Sequence, residues 1–326
     1  MTTTAEHVRI HPILGVVLYF IGYILALVAV SIVGSIAFGF LTALGVAAEP
    51  TIDPSMTTMD VEAVLAALGP WFFPLIIAVG LFTILYTWLF VRFIEGRRFD
   101  ALGMPFHRGW GLSFWKGAGI AAALLSVAFA VSVWSGEIEV IGFARPAPAG
   151  QSVSAYMILS LVGFFVVGIY EELMFRGYVL QRLDEKAGRI VAIIISSFLF
   201  AVLHFANPGA GFLSLFNTWI IGVLLCALYY RGRSLWTPIG FHFAWNFLLG
   251  MFFSMPVSGL PIHGVLEIAE TSEDVAVSGA MYGPEGGLAS TIALGLFAAW
   301  LLWRRTKPRP EAMLGDEQLP PSDDQL

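Results

Sequence analysis

Glu171 and Glu172, with Arg176 four residues after the second, close an apolar run from Ala155 to Tyr170. Two more polar clusters interrupt apolar stretches: Phe200 with His204, and His242 with Asn246. A carboxylate inside a membrane-spanning segment costs about 2.5–3.5 kcal/mol on insertion scales, so by default it persists where it does chemistry or lines a polar path. Hydrolysis of an amide needs a base to activate water, a partner that holds the base or the water, and donors for the oxyanion. Glu171 supplies the base, His204 a partner for water activation or proton transfer, and His242 with Asn246 the donors. On a helix, residues four apart share a face and adjacent ones diverge by about 100°. Glu172 therefore faces Arg176 in an ion pair that limits the cost of burying either charge, and Glu171 is left to point into a cavity.

The elements that position these residues follow from composition. Among 326 residues, 58% are hydrophobic and 12% charged, with a mean hydropathy of +0.81. A soluble chain is excluded, and the fold class is all-α: a polytopic membrane protein with about eight transmembrane helices. Runs of about 18 or more apolar residues are long enough to span a bilayer, and they fall near Pro12–Val46, Pro70–Val91, Leu112–Ser135, Ala155–Leu180, Ile190–Ala206, Leu213–Tyr230, Leu235–Met255 and Leu288–Trp303. Loops rich in lysine and arginine stay cytoplasmic. With both termini inside, 16 of the 17 basic residues lie on the cytoplasmic side and Arg145 alone outside, while the outer loops carry acids such as Glu137, Glu139, Glu267, Glu270 and Glu285. The first run is too long for a cleavable signal and is read as a retained span. The expected location is integral and multi-pass, in a bacterial inner (plasma) membrane.

At 1.5 Å per residue Glu171 lies on the order of 15 Å in from the cytoplasmic end of its helix, His204 on the order of 20 Å and Asn246 on the order of 15 Å. The three clusters can thus meet. The net charge of −6 arises mainly in the outer loops and the tail and gives no sign of a nucleic-acid partner; the partners expected are membrane lipid and a membrane-associated or lipidated protein or peptide. The single cysteine, Cys226, excludes an intrachain disulfide and reads as a buried structural thiol. Residues 1–307 form one membrane-embedded domain with its motif core at about 155–250, and 308–326, rich in proline and acids, read as a disordered cytoplasmic tail. Other catalytic patterns are missing: there is no H-E-x-x-H and no G-x-S-x-G.

The three clusters resemble the motifs of the CPBP intramembrane proteases, the CAAX-prenyl-protease or Rce1-like group, also called Abi proteins. E-E-x-x-x-R is matched by Glu171, Glu172 and Arg176, F-x-x-x-H by Phe200 and His204, and H-x-x-x-N by His242 and Asn246. The resemblance implies an eight-helix endopeptidase with a conical intramembrane catalytic cavity open to the cytoplasm. It implies that Glu171 activates water with His204, that His242 and Asn246 support the oxyanion, and that Glu172, Arg176 and Phe200 hold the motifs together. The group is often labelled metalloprotease. If Zn2+ takes part, its ligands are Glu171, His204 and His242, although a metal-free site uses the same residues and is favoured. The implied reaction is cleavage of membrane-associated or prenylated CAAX-type polypeptides. The alternative is a non-catalytic scaffold or bacteriocin self-immunity protein whose polar clusters bind a partner.

Overall fold

The computed structural model describes residues 10–43, 68–104, 106, 108–271 and 276–304, the side chains of 33–43 and of 280 excepted. The tail expected at 308–326, the terminal basic residues Arg9, Arg305, Lys307 and Arg309, and the outer-loop acids Glu49, Asp53, Asp60, Glu62, Glu273 and Asp274 lie outside these residues.

Nine α-helices are present among them: α1 (Pro12–Ala43), α2 (Phe72–Leu89), α3 (Trp110–Trp134), α4 (Val153–Glu172), α5 (Leu180–Ala187), α6 (Arg189–Leu203), α7 (Phe212–Gly232), α8 (Trp236–Phe247) and α9 (Leu288–Trp303). Each of the eight apolar runs becomes helix. Five helical stretches are long and apolar enough to cross a membrane: Pro12–Ile32, Gly69–Glu95, Trp110–Trp134, Val153–Ala187 and Phe212–Gly232. Arg189–Leu203 and Leu288–Trp303 are apolar but shorter. Wide π-helical turns extend three helices, at Phe90–Glu95 after α2, Leu173–Val179 between α4 and α5, and Leu248–Phe252 after α8.

Without a hydrophobic drive between helices in lipid, spans associate through close packing and interhelical hydrogen bonds. Both devices are present. Tyr19 and Tyr23, one turn apart on α1, bond to Thr87 (2.7 Å) and Thr83 (3.0 Å), one turn apart on α2, and Tyr86 returns a bond to the Tyr19 carbonyl. Close packing is tightest between α3 and α8. A Cβ added at Gly117 would stand 2.8 Å from the Phe241 nitrogen, and one at Gly240 2.7 Å from the Phe114 carbonyl carbon. These two glycines let the backbone of α8, which carries His242 and Asn246, lie directly on α3.

The ends of α4 to α6 are fixed by local chemistry. Ser152 caps α4 by accepting from the Ala155 nitrogen, as an N-cap serine does. Gly188, with φ of 78°, turns the chain between α5 and α6, a left-handed conformation that glycine takes without strain. Beside that turn the Arg182 guanidinium bridges Glu95 at 2.8 Å, both side chains buried, and the Tyr178 hydroxyl donates to Glu95 at 2.7 Å. Arg182 also pairs with Glu185.

One element is absent from the all-helical expectation. Strands β1 (Ile138–Phe143) and β2 (Leu266–Glu270) pair antiparallel, Ile138 opposite Glu270 and Phe143 opposite Leu266, with a bulge between Val140 and Gly142. This ribbon joins the α3–α4 and α8–α9 connections. Glu137 ties it down by accepting from the Val277 and Ser278 nitrogens.

Candidate active site

A cavity of about 410 Å³ lies inside the bundle, and Glu171, Phe200, His204, His242 and Asn246 all line it. The convergence expected of the three clusters is therefore present. Glu172 and Arg176 sit behind the wall, fully buried.

Glu172 Oε1 accepts from Arg176 Nη1 at 2.8 Å, across one turn that includes the start of the π segment. The same oxygen is 2.9 Å from His242 Nδ1. A carboxylate only accepts, so Nδ1 carries the proton in that bond and the ring is fixed with Nε2 turned toward Glu171, 3.7 Å from its Oε2. Arg176 donates further to the Gly222 carbonyl at 3.2 Å, and its guanidinium lies 4.5 Å from the centre of the Phe200 ring, a favourable cation–π placement. Phe200 in turn stands beside both imidazoles, with ring centres 4.7 Å from His204 and 6.1 Å from His242. The motif residue Phe200 is thus the packing hub of the site.

His204 Nδ1 is 2.8 Å from the Phe200 carbonyl oxygen. That bond requires a proton on Nδ1, which leaves Nε2 of the neutral ring as an acceptor. His242 lies against both glutamates, 2.9 Å from Glu172 and 3.7 Å from Glu171, while His204 is anchored to its own helix end.

Glu171 itself is only part-buried. Its Oε1 accepts from the Tyr170 hydroxyl at 3.0 Å, and its buried Oε2 has no hydrogen-bond partner among the described residues. A buried carboxylate oxygen without a donor is an unmet acceptor, costly unless something polar reaches it. The donor set expected for Zn2+ does not assemble, since no three His, Cys, Asp or Glu side chains among the described residues gather closely enough to hold an ion.

Three participants were not read from the sequence. Tyr170 holds Glu171; its adjacency to the glutamate pair was the available signal. Trp245 and Glu285 form a second buried pair: Trp245 Nε1 donates to Glu285 Oε1 at 2.9 Å, and Glu285 Oε2 accepts from Ser258 nitrogen and hydroxyl at 2.8 and 2.6 Å. Glu285 was counted among the outer-loop acids. It is instead 5% exposed and lines the cavity, fastening the 256–262 loop over α8. Tyr282 in the same connection is pushed up to about 12 by its burial and then by the Glu285 charge, so it stays protonated.

The connections that contribute to the cavity wall carry Asn207, Val257, Ser258, Leu260, Ile262 and Glu285, all at the end opposite the basic turns. The described connections at the basic end contribute none.

Residues 153–248 match the family model "Type II CAAX prenyl endopeptidase Rce1-like". The matched stretch holds all three motif clusters, which bears out the resemblance drawn from them. The chain is also similar to the "Putative membrane peptidase YdiL" of Bacillus subtilis (strain 168), with 29% identity over 174 residues that cover 52% of this chain and 66% of that protein. No solved structure matches the chain.

Proposed function

We propose that this chain, an integral membrane protein whose residues 153–248 carry the Rce1-like domain, is an intramembrane endopeptidase that cleaves membrane-anchored polypeptides with a glutamate-activated water. The observation that carries the reading is the meeting of Glu171 and His242 in the cavity wall, with Glu171 Oε2 3.7 Å from His242 Nε2. In this reading a water held by the Glu171 carboxylate gives its proton to Glu171 as its oxygen bonds to the scissile carbonyl carbon. The oxyanion so formed takes hydrogen bonds from Asn246 and from His242 in its imidazolium form. The C–N bond then breaks as Glu171 returns the proton to the leaving nitrogen. His204 Nε2 accepts a hydrogen bond from the water or the substrate amide. Glu172 and Arg176 orient His242, and Tyr170 orients Glu171. Positioned acid–base catalysis of this kind contributes about 10²–10⁴-fold.

The membrane-embedded unit is proposed to run over residues 1–307 with 308–326 as its tail, in a bacterial inner membrane with both termini cytoplasmic. Prenylated CAAX-type tails are the substrate class that the family's name points to and form one arm of the test. Wild type and Glu171→Gln are reconstituted in nanodiscs and incubated with lipid-anchored fluorogenic peptides, with and without a farnesyl group and with and without a chelator. Cleavage by wild type that falls at least 10²-fold in the variant and survives the chelator supports the metal-free peptidase. Equal rates in the two proteins overturn it, and loss of cleavage in the chelator overturns the metal-free mechanism alone.

A further inference from the structure

We propose that Glu285 is a specificity-determining residue, a fixed carboxylate in the cavity wall that selects polypeptides carrying a lysine about one to three residues from the scissile bond. The cleavage rests on the endopeptidase reading; the binding of the charged side chain does not.

The charge of the lining is the first ground. Among the described residues the cavity is lined by two carboxylates, Glu171 and Glu285, by the imidazoles of His204 and His242, and by no lysine or arginine. Glu171 and both imidazoles belong to the site described above. Buried charges are ordinarily paired, and Glu172 meets Arg176 while Glu95 meets Arg182. Glu285, 5% exposed, meets only neutral donors among the described residues: the Trp245 indole and the Ser258 amide and hydroxyl. A cleft of one sign within low-dielectric walls concentrates the opposite charge.

The second ground is the way the carboxylate is held. Ser258 has φ of 47°, a left-handed conformation uncommon for a residue other than glycine, and both its N–H and its O–H donate to Glu285 Oε2. Asn207 Nδ2 braces that turn by donating to the Ser258 carbonyl at 3.1 Å. Trp245 and Ser258 line the cavity themselves, so the carboxylate end of Glu285, rather than its stem, stands at the wall. A carboxylate offers about four acceptor positions. With Trp245 on Oε1 and two donors on Oε2, the position left is on Oε1. An ammonium needs only one acceptor, whereas a guanidinium binds through a rigid fork, so the free position suits lysine. The apolar lysine stem matches Val257, Leu260 and Ile262 in the same lining.

The third ground is the spacing from the chemistry. Trp245 follows His242 by three residues on α8, on a shared face and about 4.5 Å further along the axis, and Glu285 lies one indole beyond it. At about 3.3 Å per residue of extended chain, and with the reach of its own stem, the lysine falls about one to three residues from the bond at Glu171 and His242.

Wild type in nanodiscs is given lipid-anchored fluorogenic peptides with lysine, Nε-acetyl-lysine or methionine placed in turn at each of the three positions on either side of the scissile bond. At one position or more, lysine is expected to raise kcat/KM at least 10-fold over both neutral residues. In Glu285→Gln, which keeps the shape without the charge, the three peptides are expected to be cleaved within twofold of one another. The acetyl-lysine comparison alters no residue of the protein, so it stands even if Glu285→Gln misfolds. Equal rates for lysine and acetyl-lysine at every position overturn the proposal, as does a lysine preference that survives in Glu285→Gln at wild-type unfolding temperature. The same peptides are titrated onto Glu171→Gln protein by fluorescence anisotropy. If wild type cleaves nothing, the endopeptidase reading fails, and this arm decides the rest: lysine bound at least 10-fold tighter than acetyl-lysine supports the charge selection, and equal affinities overturn it.

Discussion

Gly240→Ala adds one carbon at the crossing of α3 and α8, and its effect can be worked from the backbone alone. The new Cβ would lie 2.7 Å from the Phe114 carbonyl carbon and 2.9 Å from its Cα, where carbon atoms ordinarily rest about 3.5–4.0 Å apart. Both neighbours are backbone, so no side chain can swing away, and the helices must part by about 1 Å to restore contact distance. Overpacking of this size costs about 1–3 kcal/mol of stability. The same displacement carries His242, two residues on, away from Glu172, whose 2.9 Å bond sets the ring. A misplacement of about 1 Å in a catalytic group costs on the order of 10²-fold in rate. Thermal unfolding and peptide cleavage are measured on the same nanodisc preparation, with Gly119→Ala on α3 as control, since nothing lies within 4 Å of a Cβ there. A folded Gly240→Ala with wild-type unfolding temperature and a rate within twofold of wild type would refute the claim that this crossing sets the site.

Glu172→Ala is expected to lose about 3–5 kcal/mol, because Arg176 is left buried without its carboxylate; denaturation of the purified protein reads the loss, and a shift below 1 kcal/mol counts against the pairing. Tyr170→Phe removes only the donor to Glu171 Oε1, so kcat should fall with KM and unfolding temperature unchanged, and a lowered unfolding temperature would mark a packing effect instead. Glu285→Ala strips the partner from Trp245 and from both Ser258 donors; unfolding should cost about 1–3 kcal/mol for a buried donor left unmet, and Trp245 fluorescence should change, whereas an unaltered spectrum would contradict the contact.

The spans were legible because an apolar run of bilayer length is seldom anything but a spanning helix, and all eight became helix. The site was legible because carboxylate and imidazole are costly in lipid: Glu171, His204, His242 and Asn246 stand out against their neighbours and do line one cavity. What stayed hidden rests on long-range pairing. Trp245 and Glu285 are 40 residues apart and meet through a short 3₁₀ turn at Pro284–Gly286, which leaves no local periodicity. The β1–β2 ribbon joins strands separated by four helical spans, and short apolar strands beside membrane helices read as loop. His242 was assigned as an oxyanion donor from its spacing to Asn246, but its bond to Glu172 depends on how α4 and α8 pack.

The wide turn at Leu173–Val179 makes the fourth span two rods with separate rotational phase. The rod before the turn presents Glu171 and Glu172, and the rod after it presents Arg182 to Glu95. A π turn accommodates a residue that a continuous α-helix would not, and the Phe175 carbonyl, which accepts from the Leu180 nitrogen, also accepts from the Ser196 hydroxyl at 2.9 Å. Deleting one residue here would restore regular winding and rotate one rod against the other by about 100°, so that the glutamates and Arg182 could no longer both meet their partners. The span is keyed like a lock with two wards cut at different angles, and its length in this stretch is as much a part of the site as the side chains it carries.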